Sequence, residues 1–225
     1  MANKRDLRTL WDLGTEGLAA VLSRAAEYKS LRGSPQHPRP LQGRTVALVF
    51  EKPSTRTRVS FEVGIVELGG HPLSLSSRDL QLGRGETLGD TARTLSRYVH
   101  AIVVRTFGQD RIDELAATAT VPVINALSDR THPCQLLADL LTIRECFGKL
   151  EGIPVAWVGD GNNVANSWVN AAALVGLDLR LATPAGYEPD AEFVERAHRS
   201  GRGRVRLVRD PAEAVEGARV VSTDV

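Results

Sequence analysis

Short apolar runs alternate with longer amphipathic segments along nearly the whole chain. The run Thr45–Phe50 is almost continuously apolar, the pattern of a strand buried on both faces of a parallel sheet. Similar runs predict strands over His71–Leu75, Ala101–Arg105, Val121–Asn125, Ile153–Val158, Asp178–Ala182, Val205–Val208 and Arg219–Ser222. Apolar positions recurring every three or four residues predict helices between them, over Thr55–Leu68, Thr87–Tyr98, Arg111–Thr118, Pro133–Phe147, Asn163–Val175, Asp190–Ser200 and Pro211–Glu216. Alternating strands and helices with short connections predict the α/β class, with parallel sheets flanked by helices. Gly148 follows the long helix Pro133–Phe147 and suits the position just past its end. The segment Glu151-Gly152-Ile153-Pro154 then restarts the pattern. Two domains are therefore expected, 1–147 and 148–225, with the helix Pro133–Phe147 as the bridge and a ligand cleft at the carboxyl ends of the strands. The longest polar connection is Ser76–Gly85, and long loops in compact domains are often functional.

Composition narrows the function classes. The 225 residues are 42% hydrophobic and 24% charged, with a net charge of +1. That balance gives no electrostatic reason to expect a nucleic-acid or membrane partner. The locally basic stretch Arg199–Arg209 alternates through Val205 and Val208 and carries no aromatic residues, so an outer strand with a solvated face is expected there. Two cysteines, Cys134 and Cys146, without metal-ligand spacing suit a reduced, cytoplasmic protein. The five histidines form no paired spacing for zinc. There is neither an apolar run of about 18 residues nor a secretory core segment, so a soluble, unexported protein is expected.

The chemistry-bearing residues fall at strand ends. Ser54-Thr55-Arg56-Thr57-Arg58 stands where a strand hands over to a helix. That position offers unpaired backbone N–H groups and the positive end of a helix dipole, which bind phosphate and carboxylate. Arg56 adds a planar donor fork. The plainer reading is an N-cap at Ser54 and a surface pair between Arg58 and Glu62. Arg105 closes the strand Ala101–Arg105. Thr131-His132-Pro133-Cys134-Gln135 opens the long helix, with Pro133 at its first position and His132 and Gln135 on one side of the first turn. That pair suits a carbonyl or amide, whereas Cys134 has no marks of an activated thiol. Gly159-Asp160-Gly161-Asn162-Asn163 also joins a strand to a helix. It is a poor dinucleotide fingerprint, because Val164 holds the third glycine position and no acidic residue closes the next strand. Asp224 follows the last apolar strand.

Together, Ser54-Thr55-Arg56-Thr57-Arg58, His132-Pro133-Cys134-Gln135 and Gly159-Asp160-Gly161-Asn162-Asn163 resemble the aspartate/ornithine carbamoyltransferase family. The first two motifs are common to both branches, and the third resembles the ornithine branch. The resemblance implies a carbamoyl-phosphate-binding domain over 1–147 and an ornithine-binding domain over 148–225, incomplete at its C-terminus because two further family motifs are expected after Val225. It implies transfer of the carbamoyl group from carbamoyl phosphate to the δ-amine of L-ornithine, giving citrulline and phosphate, with no metal or organic cofactor and with a homotrimer as the basic assembly. Alternatives are a relative using another amine, such as putrescine or an acylated ornithine, and a non-catalytic fragment. By the same resemblance Ser54, Thr55, Arg56 and Thr57 cradle the phosphate, and Arg105 bridges phosphate and carbonyl oxygen. His132 and Gln135 hold the carbamoyl group, Gln81 reaches the phosphate of a neighbouring subunit, and Asn163 and Asp224 contact the acceptor's α-carbon groups.

Overall fold

The computed structural model describes residues 4–76 and 86–224. The chain forms two compact units, one of Met1–Arg8 and Arg24–Asp129, the other of Thr9–Ser23 and Arg130–Val225. Each is built on a four-stranded, all-parallel sheet.

In the first unit β1 (Thr45–Phe50), β2 (His71–Ser76), β3 (Ala101–Arg105) and β4 (Val123–Leu127) lie in the order β2-β1-β3-β4. The central strands carry the continuous apolar runs. Ala47, Leu48, Ile102, Val103 and Val104 are essentially inaccessible to solvent. Alternate side chains feed two apolar clusters, one holding Ala47, Val49, Ile102 and Val104 and the other Val46, Leu48 and Val103. A buried central strand needs apolar residues on both faces, which is why no alternation was visible. Connecting helices α2 (Thr55–Glu67), α3 (Leu88–Leu95) and α4 (Gln109–Thr118) follow β1, β2 and β3 in turn.

The second unit orders its strands β7-β6-β5-β8, from β5 (Pro154–Val158), β6 (Asp178–Ala182), β7 (Arg204–Val208) and β8 (Val220–Thr223). The basic stretch forms the outer strand β7, as expected, with only Val205 buried. Helices α5 (Pro133–Phe147), α6 (Asn163–Val175), α7 (Ala191–Ser200) and α8 (Pro211–Val215) complete the unit. Its core joins Leu136, Leu140, Trp157, Trp168 and Leu179 with Leu10, Leu18 and Leu22. Helix α5 thus packs in the second unit's core, and Gly148 ends it in the left-handed conformation (φ 71°).

Three elements depart from the sequence reading. Helix α1 (Gly14–Leu31) and the 3-10 turn Leu10–Asp12 before it were not anticipated. Helix α3 ends at Leu95, because Arg97 and Tyr98 bond back to Thr94 and Leu95 in a tighter turn. Strand β4 starts at Val123, two residues late. Pro122 has no N–H, the Val123 N–H goes to Asp6 at 2.9 Å, and Leu7 pairs alongside Ile124.

Candidate functional site

Phe50 and Arg105 are register partners, so β1 and β3 end side by side. The segments leaving these two ends carry the first half of the site. Ser54 is extended (φ −163°, ψ 107°) and caps α2, its hydroxyl accepting from the Thr57 N–H at a long 3.4 Å. Arg105 Nη1 donates to the Thr57 hydroxyl at 3.4 Å. The buried Arg105 Nε has no hydrogen-bond partner among the described residues. Burial, and then the positive charge of Arg56, push the Arg105 guanidinium below its ordinary value. The strand ends thus hold two neighbouring cations, one of them half-buried with an unused donor. An anion placed there would relieve both the desolvation and the like-charge repulsion. Arg58 makes the pair with Glu62 at 2.9 Å and points to no ligand.

Sequence reasoning missed the side chains behind this half-site. Glu51 accepts from the Thr106 hydroxyl and from the Arg111 guanidinium. Lys52 pairs with Asp129, its Nζ 4.4 Å from the centre of the Phe107 ring. These partners lie 55 to 77 residues apart in the chain, so no local pattern marks them.

The second unit holds the other candidates. His132 caps α5, with Pro133 at the first helical position. The His132 N–H donates to the Ser167 hydroxyl at 2.8 Å, and that hydroxyl donates to the Asn163 carbonyl oxygen at 2.7 Å. The fully buried Ser167 therefore ties the start of α5 to the start of α6. Gln135 Nε2 donates to Asp139 at 2.9 Å, which makes the amide oxygen the acceptor end of Gln135. Burial holds the Asp139 carboxyl above the usual carboxylate range, opposed by the bond from Gln135. Burial also pushes the Cys134 thiol up to about 12, so Cys134 is no nucleophile, as its sequence context suggested.

The glycine-rich turn after β5 is shaped by packing. The Gly161 N–H donates to the Tyr187 carbonyl at 2.7 Å, and a Cβ there would lie 2.1 Å from the Pro189 nitrogen. Asn162 caps α6 and accepts from the N–H groups of Val164 and Ala165 at 2.9 and 3.1 Å. That tight cap occupies donors a dinucleotide's phosphates would need, in contrast to the loose cap at Ser54. Asn162 Nδ2 donates to Asp224 at 3.2 Å, which brings the end of β8 beside the start of α6, where Asn163 stands. Arg130 bonds both Asp190 and Glu192 and pins the start of α7. Gln81 lies outside the described residues.

The family model described as the aspartate/ornithine carbamoyltransferase carbamoyl-P binding domain matches residues 5–145, and the Asp/Orn binding domain of the same family matches 151–225. The chain belongs to the aspartate/ornithine carbamoyltransferase family. It is 53% identical to the ornithine carbamoyltransferase of Pelobacter propionicus over 98% of this chain and 72% of that protein. It is 56% identical to the ornithine carbamoyltransferase of a Parafrankia species, over 95% of this chain and 69% of that one. The solved ornithine carbamoyltransferase from Pyrococcus furiosus superposes with a TM-score of 0.94 at 50% identity, covering 98% of this chain and 72% of that one. The carbamoyltransferase fold accounts for both parallel sheets and their helices. Among the described residues no helix is long and apolar enough to cross a membrane.

Proposed function

We propose that the protein is an ornithine carbamoyltransferase, moving the carbamoyl group of carbamoyl phosphate to the δ-amine of L-ornithine to give L-citrulline and phosphate. The observation that carries this reading beyond family membership is the half-buried Arg105 beside Arg56, whose Nε has no hydrogen-bond partner among the described residues. In this reading residues 1–147 bind carbamoyl phosphate and 148–225 bind ornithine.

The amine nitrogen forms a bond to the carbamoyl carbon, the bond from that carbon to the phosphate oxygen breaks, and one proton leaves the amine. Charge gathers first on the carbonyl oxygen and then on phosphate. Arg105, Thr57 and His132 serve the carbonyl oxygen. Arg56, Ser54, Thr55 and the first N–H groups of α2 serve the phosphate. The amide oxygen of Gln135 accepts from the carbamoyl NH2, while Asn163 and Asp224 hold the acceptor's α-carboxylate and α-amino groups. No covalent intermediate is needed, so positioning supplies much of the rate. A colorimetric citrulline assay across ornithine, putrescine and acylated ornithine tests this. Turnover is expected with ornithine, whereas turnover with another amine alone would replace the acceptor and none at all would leave a non-catalytic protein.

We also infer a cytoplasmic homotrimer acting in arginine metabolism, with Gln81 reaching the phosphate of a neighbouring copy. Two cysteines without metal-ligand spacing suit a reducing compartment. Val59 and Val66 on α2, 51% and 59% exposed, supply apolar surface for a second copy, beside a groove of about 790 Å³ that includes Arg56. Mixing inactive Arg56→Ala chains with inactive Gln81→Ala chains should restore part of the activity, because some interfaces then pair two intact halves. No recovery in mixed oligomers confirmed by mass would count against a shared site.

A further inference from the structure

We propose that Glu51, Thr106 and Arg111 form a clamp that sets the distance between the phosphate cradle and Arg105, making them positioning residues for the carbamoyl-phosphate half-site. The inference rests on the function proposed above.

The geometry of the sheet creates the need for a clamp. β1 and β3 stop at the register pair Phe50 and Arg105, and the last backbone bond between them runs from the Glu51 N–H to the Arg105 carbonyl at 2.9 Å. Beyond that bond the chains leave the ladder. One turns through Lys52 and Pro53 into the cradle at Ser54, and the other passes Thr106 into α4. Arg105 must nevertheless keep its place against Thr57, and that contact is a long one at 3.4 Å. It is too weak by itself to hold two loops in register.

The clamp sits at this point of divergence. The Glu51 side chain, only 9% exposed, accepts from the Thr106 hydroxyl beside Arg105 and from two nitrogens of Arg111, and Arg111 Nε also donates to Thr106 at 3.1 Å. Three side chains thus close a ring across β1, β3 and the first turn of α4. A nearly buried carboxylate held by a guanidinium and a hydroxyl is rigid, and removing Arg111 leaves that carboxylate without its counter-charge. The ring also fixes Glu51, the acidic residue nearest the cradle in sequence, on Arg111, so its charge is already matched there. A misplacement of about 1 Å at reacting groups can cost about a hundredfold in rate. A clamp three residues from Ser54 and one from Arg105 controls such displacements without touching substrate.

The test uses Glu51→Gln, Arg111→Met and Arg111→Lys in the complete protein, reading citrulline formation, direct binding of carbamoyl phosphate by calorimetry, and the thermal midpoint. Glu51→Gln and Arg111→Met should raise the KM and the Kd for carbamoyl phosphate at least tenfold. Arg111→Lys, which keeps the charge, should recover most of that loss. The KM for ornithine should stay within about twofold in all three. A lowered thermal midpoint with carbamoyl-phosphate binding unchanged in the folded fraction would reduce the ring to a stability element and overturn the proposal. So would equal losses with both substrates. If Glu51→Gln does not fold, Thr106→Val removes the two hydroxyl bonds of the ring while keeping both charges, and a KM for carbamoyl phosphate within twofold of the parent would overturn the proposal. Absence of citrulline from the parent protein would fail the functional reading instead, and the binding measurement still reads the clamp.

Discussion

Arg105→Ala should lower kcat about 10³-fold, a loss of roughly 4 kcal/mol in transition-state stabilisation. The guanidinium is half-buried, its Nε has no partner among the described residues, and Arg56 stands close enough to depress it further. Such a group contributes nothing to the resting fold, because a desolvated cation without a counter-charge destabilises the state that contains it. Its worth is realised when an anion arrives and when charge develops during transfer. The thermal midpoint of Arg105→Ala should therefore stay level or rise, the reverse of the usual effect of truncating a half-buried side chain. Arg105→Lys should recover only part of the rate, since an ammonium supplies charge without the planar fork that spans two oxygens. A kcat within tenfold of the parent, measured at saturating carbamoyl phosphate, would remove Arg105 from the reaction.

The kcat/KM for ornithine should rise about tenfold per pH unit from pH 6 toward 8, close to a hundredfold in all. The δ-amine resembles a lysine side chain, with a free pKa of about 10.4. At pH 7 roughly one molecule in a few thousand carries the lone pair that attacks carbon, by the same reference value. The reactive form is the deprotonated one, so below the pKa its fraction grows tenfold for each unit by which the pH rises. Cys134 is held protonated by burial and Asp139 is bonded to Gln135, so neither of these two groups is offered as the base. The protein must then take the neutral amine from solution or release its proton on binding, and both give the same slope. A flat profile measured with subsaturating ornithine would show that amine ionisation does not limit the reaction, and direct attack by the free amine would have to be abandoned.

Where composition and period carried the information, the sequence was enough. The strands Thr45–Phe50, Ala101–Arg105 and Asp178–Ala182 and the helices Pro133–Phe147 and Asn163–Val175 stand where their patterns placed them. Each is long and strongly patterned, and each boundary is set by a residue acting locally: Pro133 at a helix start, Gly148 and Gly176 in the left-handed conformation at helix ends. The three motifs were legible for the same reason, since a strand end, a cap and a charged fork are all specified within five residues. Helix α1 was missed because its two buried residues, Leu18 and Leu22, lie four apart and the small residues and Val21 around them blur the stripe. The late start of β4 depended on Asp6 and Leu7, more than a hundred residues away.

The chemistry of the sites divides along the same line. The expectation that Ser54 and Arg56 suit an anion was legible from residue types where a strand hands over to a helix, whereas the role proposed for Arg105 came from the family resemblance. That Arg105 is left without a full set of partners follows only from packing, because burial and the nearness of Arg56 depend on how β1 and β3 lie together. Likewise Ser167 reads as one more small polar residue of a helix, yet the fold makes it the tie between His132 and Asn163. Glu51 and Arg111 read as ordinary solvated charges until the sheet closes them into a ring with Thr106. Local pattern determined which backbone elements form, because the hydrophobic period and the caps act over a few residues. Tertiary structure decided which charges are matched and which are buried beside a like charge, because those energies depend on distances the chain sets only once it is folded.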